Sequence, residues 1–161
     1  MPSKPVPYEI SEPIRLKKSQ YCRFADTHNW AGFRNIFLPS ITATFHNPDG
    51  SIVVENNVPF SFDSRDAFIN FFARAFETQQ TIHTVGPGEL EFATGNREGD
   101  EDEVKAVWPV TYHAASREVV GGWSGTGGGY YFETWKRVDG EWFMATLRFE
   151  RWYWKVTGVD A

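Results

Sequence analysis

Apolar positions change period along this chain, and each change marks an element. From Ser11 to about Asp26 the run "SEPIRLKKSQYCRFAD" sets Ile14, Leu16, Tyr21, Cys22, Phe24 and Ala25 against Arg15, Lys17, Lys18, Gln20 and Arg23, which predicts a helix with a broad apolar side and a wet one. Ser11 is placed to cap it, and Glu12 and Pro13 suit its first turn, where an acid meets the positive dipole end and proline loses no bond. Thr27 or Asn29 caps a second, short helix through Trp30, Phe33, Ile36 and Phe37, stopped by Pro39. The period then falls to two in "ITATFHN". "NPDG" at Asn47–Gly50 signals a turn, and "SIVVENNVPFSF" reads as a strand or a bent strand pair.

Helical spacing returns in "DSRDAFINFFARAFETQ", where Phe68, Phe71, Phe72, Ala75 and Phe76 share a side and Asp63 or Ser64 supplies the cap. From about Thr81 the chain reads as strand: "TIHTVGPGELEFATG", an acidic turn "NREGDEDE", "VKAVWPVTYHAASRE", the Gly-rich "VVGGWSGTGGGYYFETWKRV" and "EWFMATLRFERWYW". Asp139-Gly140 joins the last two as a two-residue hairpin. Glycines 121, 122, 125, 127, 128 and 129 suit bulges or sharp bends in a curled sheet, or a flexible loop. No helix follows them, so a phosphate-binding loop is not indicated. Helices followed by a run of long antiparallel strands define an α+β class, with a sheet that must curl to bury its apolar face. Residues 1–10, with three prolines, read as an extended lead-in to a single domain over 11–161.

Composition adds one distinctive number. Of 161 residues, 17% are aromatic, with 14 Phe, 7 Trp and 6 Tyr, enough both to fill a core and to wall an apolar ligand site. The net charge of −5, with scattered cations, argues against nucleic acid and anionic membranes as partners. No segment is long and apolar enough to span a bilayer, and no secretory signal is recognisable, so the expected compartment is cytoplasmic. Cys22 is the sole cysteine, which excludes an internal disulfide and a Cys-based zinc site. The four histidines (His28, His46, His83 and His113) are well separated and no HExxH or GxSxG motif occurs, so metal chemistry has little support beyond a three-His site that the fold itself would have to build.

What remains is acid–base chemistry. His83 in "TIHTV" and His113 in "VTYHA" sit mid-strand, and Thr81, His83 and Val85 share one face. A mid-strand histidine is commonly structural or solvent-facing, and both readings stay open here. Asp26 closes a helix, where the negative dipole end disfavours an acid, so its presence needs another reason.

The blocks "YCRFADTHNWAGFRNIF", the Phe-rich helix, "TIHTVGPGELEF" and "GGGYYFETWKRVDGEWFMATLRFERW" together resemble the SnoaL-like group of the nuclear transport factor 2-like superfamily over residues 11–153. The resemblance implies a cone-shaped barrel, a strongly curved, mostly antiparallel mixed sheet wrapped around about three N-terminal helices, with a deep apolar pocket. It is strongest to the lyases of the scytalone dehydratase, bile acid 7α-dehydratase and hexachlorocyclohexane dehydrochlorinase type. Their catalytic His–Asp pair falls on His83 and Asp26, the bile acid enzyme's tyrosine on Tyr21, and the scytalone enzyme's second histidine on His113. That enzyme's pocket asparagine is replaced here by Tyr131, and a tyrosine preceding its Asp by Ala25. Arg148 is the candidate last-strand arginine. Trp30, Phe33, Phe68, Phe72, Trp108, Trp123 and Tyr131 are the candidate walls of the substrate pocket.

The resemblance thus implies a cofactor-independent enzyme in which His83, oriented by Asp26, removes a proton α or vinylogous to a carbonyl. Tyr21 or His113 would serve the oxygen or the leaving group. The substrate is a small apolar molecule of polyketide, terpenoid or steroid type. Dehydration is the first expectation and isomerisation or polyketide cyclisation by the same base the second. A non-catalytic binding or association module on the same fold is the third. Outward aromatics in "YYFETW" and "RWYWK" suggest a homo-oligomer, and the resemblance, whose lyases are trimers, implies a trimer before a dimer.

Overall fold

The computed structural model describes residues 5–93 and 101–159. Helix α1 spans Tyr8–Asp26 and so begins three residues before the expected cap. The Pro7 carbonyl accepts from the Ile10 and Ser11 amides, and the extra turn carries Ile10 into the core. Ser11 lies inside this turn and points its hydroxyl back at the Tyr8 carbonyl, so it is not the cap. The buried stripe of α1 includes Ile10, Ile14, Lys18, Tyr21 and Ala25, three or four residues apart. Lys18, expected on the wet side, is fully buried in that stripe. A 3-10 turn over Trp30–Asn35 follows, where the Asn29 side chain accepts from the Gly32 amide at 3.2 Å. Asn29, rather than Thr27, is therefore its cap.

Strand β1 takes Phe37–His46, Pro39 included, so Phe37 belongs to the sheet and not to the preceding turn. β2 (Val54–Glu55) and β3 (Val58–Pro59) form a small hairpin whose turn uses Asn56 and Asn57, both in the left-handed region that asparagine tolerates. β4 (Ser61–Phe62) leads into α2 (Arg65–Ala75), capped by Ser64, whose hydroxyl accepts from the Ala67 amide at 3.1 Å. β5 (Gln79–Val85), β6 (Glu89–Phe92), β7 (Glu103–Ser116), β8 (Ser124–Val138) and β9 (Glu141–Thr157) complete the chain. The expected acidic turn in "NREGDEDE" lies, through residue 100, outside the described residues. Asp139-Gly140 turns the last hairpin as expected, pairing Val138 with Glu141.

The large sheet runs β4-β1-β9-β8-β7-β5, with β6 continuing along the β5 edge of β7. Among the described residues only β1 and β9 pair in parallel; the other neighbours in this sheet are antiparallel. Register shifts at Gly128/Gly129 and Thr134/Trp135 bend β8 against β9, and another breaks the β1–β9 ladder after Phe37. The result is an α+β fold with a strongly curved mixed sheet. The sheet is open between β4 and β5 rather than closed into a barrel. α1 and the 3-10 turn precede the sheet, whereas α2 is inserted between β4 and β5.

Phenylalanines weld helix to sheet. Phe68 and Phe72 of α2 meet Phe45 of β1 and Phe62 of β4 at centroid separations of 5.5–6.4 Å, and Phe33 and Phe37 join them to Tyr21 of α1. Burying one such side chain contributes roughly 1.5–3 kcal/mol, so this cluster anchors both helices inside the curve. "GTGGG" is strand, not loop: Gly125–Gly129 all lie in β8.

Candidate active site

β5 is an edge strand, and an edge leaves main-chain donors without a ladder partner. The end of α1 supplies the acceptor. Asp26 takes the His83 amide on Oδ2 at 2.9 Å, the Thr81 hydroxyl on Oδ1 at 2.9 Å, and His83 Nδ1 on Oδ1 at 2.6 Å. Three donors on one carboxylate offset its unfavourable place at a helix C-terminus. The Asp26 and His83 side chains are only 10% and 13% exposed. A carboxylate can only accept, so Nδ1 carries the hydrogen and Nε2 is the nitrogen presented to the cavity that His83 lines.

That cavity holds about 510 Å³ and is mostly apolar, with Phe45, Phe60, Phe72 and Phe76 on the β1 and α2 side and Phe149, Trp123 and Trp154 on the sheet. Its polar groups are few: His83, Thr81, Tyr112, Tyr131, Gln79 and the pair Glu55 and Arg151 are the main ones. Few convergent polar groups in an apolar cleft are the usual pattern of a small-molecule site.

Of the residues singled out from sequence, Asp26 and His83 are brought together, and Phe72, Trp123 and Tyr131 line the same cavity. The others lie elsewhere. His113 pairs with Ile82 on the opposite face of the sheet from His83 and is exposed, bonded to Thr126 at 3.0 Å. Strand alternation decides this: His83 pairs with Tyr112, so Tyr112 takes the inward place. Tyr21 is buried behind Tyr131 at 5.7 Å between centroids and does not line the cavity. Burial pushes the phenols of both Tyr21 and Tyr131 far up, which keeps them neutral. Phe33 and Phe68 are core, and Trp30 stands behind Phe76, which it meets edge-on at 5.5 Å. Arg148 faces out, bonded to Glu150 and His46, whereas Arg151 alternates onto the same face as Phe149 and enters the cavity instead.

Trp108 belongs to a separate buried network. Its indole donates to Glu133 at 2.8 Å, Trp135 donates to the same carboxylate at 2.9 Å, and Lys18 donates at 2.5 Å. The Lys18 ammonium also lies 3.5 Å from the Tyr131 ring centre and 4.0 Å from that of Tyr21, beneath the cavity wall. Its inward spacing after Ile14 was the signal in the sequence. Cys22 beside them is buried, and burial pushes its thiol up to about 11, so it stays protonated. Among the described residues no group of three or more His, Cys, Asp or Glu side chains is placed to hold a metal ion. Among them, too, no helix is long and apolar enough to cross a membrane.

Comparison with known proteins gives consistent results. The SnoaL-like domain profile matches residues 9–148. The Gibberella zeae protein described as "Probable cyclase FGR4" is 48% identical over 151 residues, 94% of this chain and 97% of that protein. The fold is also that of a type 2 hexachlorocyclohexane dehydrochlorinase (LinA), with a TM-score of 0.72 at 16% identity over 94% of this chain and 91% of that one. A candidate scytalone dehydratase from Novosphingobium aromaticivorans superposes with a TM-score of 0.70 at 16% identity, covering 94% of this chain and 88% of that one.

Proposed function

The chain belongs to the SnoaL-like domain family, and on that premise we propose that it is a cofactor-independent acid–base enzyme acting on an apolar, carbonyl-bearing small molecule. The 2.6 Å contact between Asp26 and His83 at the wall of an aromatic cavity carries this reading. His83 Nε2 takes a proton from carbon α or vinylogous to the carbonyl. The C–H electron pair moves into the conjugated system and the carbonyl oxygen becomes an enolate oxygen. Asp26 holds the imidazole in the tautomer that can accept and stabilises the imidazolium that forms. The carbonyl of the substrate is itself the electron sink.

Two outcomes share this step. In ring closure, favoured by the description of the relative at 48% identity, the enolate carbon attacks a second carbonyl of the same molecule and the imidazolium proton goes to the new alkoxide. In elimination, a hydroxyl leaves as water with that proton, and a C=C bond forms. Both outcomes use His83 first as acceptor and then as donor, through the same nitrogen. Isomerisation is the case in which the proton returns to another carbon. A panel of polyketide-like, terpenoid and steroid ketones, incubated in deuterated water, separates them. Exchange at the activated carbon reports the first step; in ordinary water a product of unchanged mass reports ring closure or isomerisation, which its carbon spectrum tells apart, and a loss of 18 mass units reports elimination. Absence of exchange across the whole panel counts against the enzyme reading and in favour of a binding module.

Assembly is a related proposal. Tyr130 and Phe132 of β8 and Trp152 of β9 are 44%, 38% and 58% exposed on the outer face of the sheet. A homo-oligomer covers such surface, a trimer before a dimer. Sedimentation equilibrium should then give a mass near three times that of the 18.4 kDa chain, and a monomer mass at micromolar concentration would remove the idea.

A further inference from the structure

The Gly-rich run of β8 passes beneath the cavity, and the pairing there is informative. His83 on β5 pairs with Tyr112 on β7, Tyr112 with Gly127 on β8, and Gly127 with Trp154 on β9. One cross-strand row therefore carries an imidazole, a phenol, no side chain at all, and an indole. The rings of His83 and Tyr112 stack at 5.6 Å and 28°, and those of Tyr112 and Trp154 at 5.9 Å and 28°. The empty place is filled by Tyr112. A Cβ on Gly127 would collide with the Tyr112 Cζ and hydroxyl, so the phenol lies across β8 over the glycine. A Cβ on Gly125 would likewise meet the Trp154 ring.

The hydroxyl end of Tyr112 thus points away from His83 and toward β9. Arg151 stands there, its guanidinium carbon 5.7 Å from the Trp154 ring centre. It is held by the Asn47 side-chain oxygen at 2.9 Å, with Glu55 4.0 Å away. A guanidinium can only donate, so a phenol oxygen beside it accepts there and keeps its own hydrogen for the cavity. Burial pushes the Tyr112 phenol up and Arg151 draws it part of the way back, which leaves a neutral but polarised donor.

We propose that Tyr112 is the second reacting group of the cavity, its hydroxyl donating to the substrate's carbonyl oxygen while His83 takes the proton, with Gly127 and Arg151 as positioning residues. This rests on the His83 base reading above. As the C–H pair moves into the conjugated system, negative charge grows on the oxygen that Tyr112 already holds. A hydrogen bond to a charged acceptor is stronger than one to a neutral acceptor, so the contact favours the transition state over the bound ketone. The flat row of rings selects a planar, conjugated ketone in preference to a globular one.

Binding of 1-tetralone and of tetralin, a bicyclic ketone and its oxygen-free counterpart, tests this through quenching of tryptophan fluorescence. In the Tyr112→Phe protein the affinity for tetralone relative to tetralin should fall roughly tenfold, the worth of one good hydrogen bond. Gly127→Ala should produce the same loss, because the added methyl group displaces the phenol, and the double variant should lose no more than either single one. Tyr112→Phe preserves ring and volume, so its result stands whether or not Gly127→Ala folds. An unchanged ratio in Tyr112→Phe overturns the proposal, as does a wild-type protein that binds neither probe. Full turnover in His83→Ala alongside a Tyr112-dependent ratio removes only the base reading.

Discussion

Replacing His83 by alanine should lower turnover by about 10²- to 10⁴-fold, the usual contribution of a positioned general base, without unfolding the protein. The side chain is mostly buried but stands at the cavity wall on an edge strand, so the space left by its removal opens into the cavity and not into the core. The main-chain bond from the His83 amide to Asp26 survives the substitution and still ties β5 to the end of α1. Asp26→Asn should approach the same loss by a different route. The asparagine oxygen can accept from only some of the three donors that now converge on the carboxylate. An amide nitrogen turned toward Nδ1 would force the hydrogen onto Nε2, the nitrogen needed for proton abstraction. Proton-exchange rates on an active ketone read the effect, and nitrogen chemical shifts of the imidazole read the tautomer. A loss below threefold in Asp26→Asn, with Nδ1 still protonated, would mean that Asp26 only fastens the strand edge. Undiminished exchange in His83→Ala would remove the base assignment altogether.

How far the sequence could be read depended on whether a signal was local. α2 declared itself through its phenylalanine spacing and Ser64, the last hairpin through Asp139-Gly140, and the inward face of β5 through simple alternation. Asp26 was legible because an acid at a helix end is locally unfavourable, and its reason lay 57 positions away in β5. Errors arose where tertiary structure overrode a local rule. His113 looked as good as His83, but only the β5–β7 register puts Tyr112 and not His113 on the cavity side. Arg148 gave way to Arg151 because only the β8–β9 register shows which face of β9 turns inward, and plain alternation then carries Phe149 and Arg151 into the cavity and leaves Arg148 outside. Ser11 lost the cap because burial of Ile10 favoured one more turn. Gly127 could be seen as unusual, but its purpose became visible only with Tyr112 lying across it.

Lys18 shows the same conflict between residue type and position, and it yields the largest expected effect on stability. Its ammonium is wholly buried against Glu133, which also accepts from the Trp108 and Trp135 indoles. Lys18→Met keeps most of the volume and leaves a carboxylate in the core with two neutral donors and no counter-charge. Breaking a buried pair in this way costs roughly 3–5 kcal/mol. For a chain of 161 residues that corresponds to a fall in Tm of roughly 6–20 °C by thermal denaturation. Adding Glu133→Gln removes the stranded charge while keeping an oxygen for the indoles, so the double variant should be more stable than Lys18→Met alone. If the single variant costs less than about 1 kcal/mol, the ion pair is not a determinant of the fold, since a loss that small is within the range of a single neutral hydrogen bond. The same substitution reaches the cavity indirectly. With the ammonium gone from beneath the Tyr131 ring, the wall loses its support from α1, and probe binding should weaken even at temperatures where the variant is fully folded.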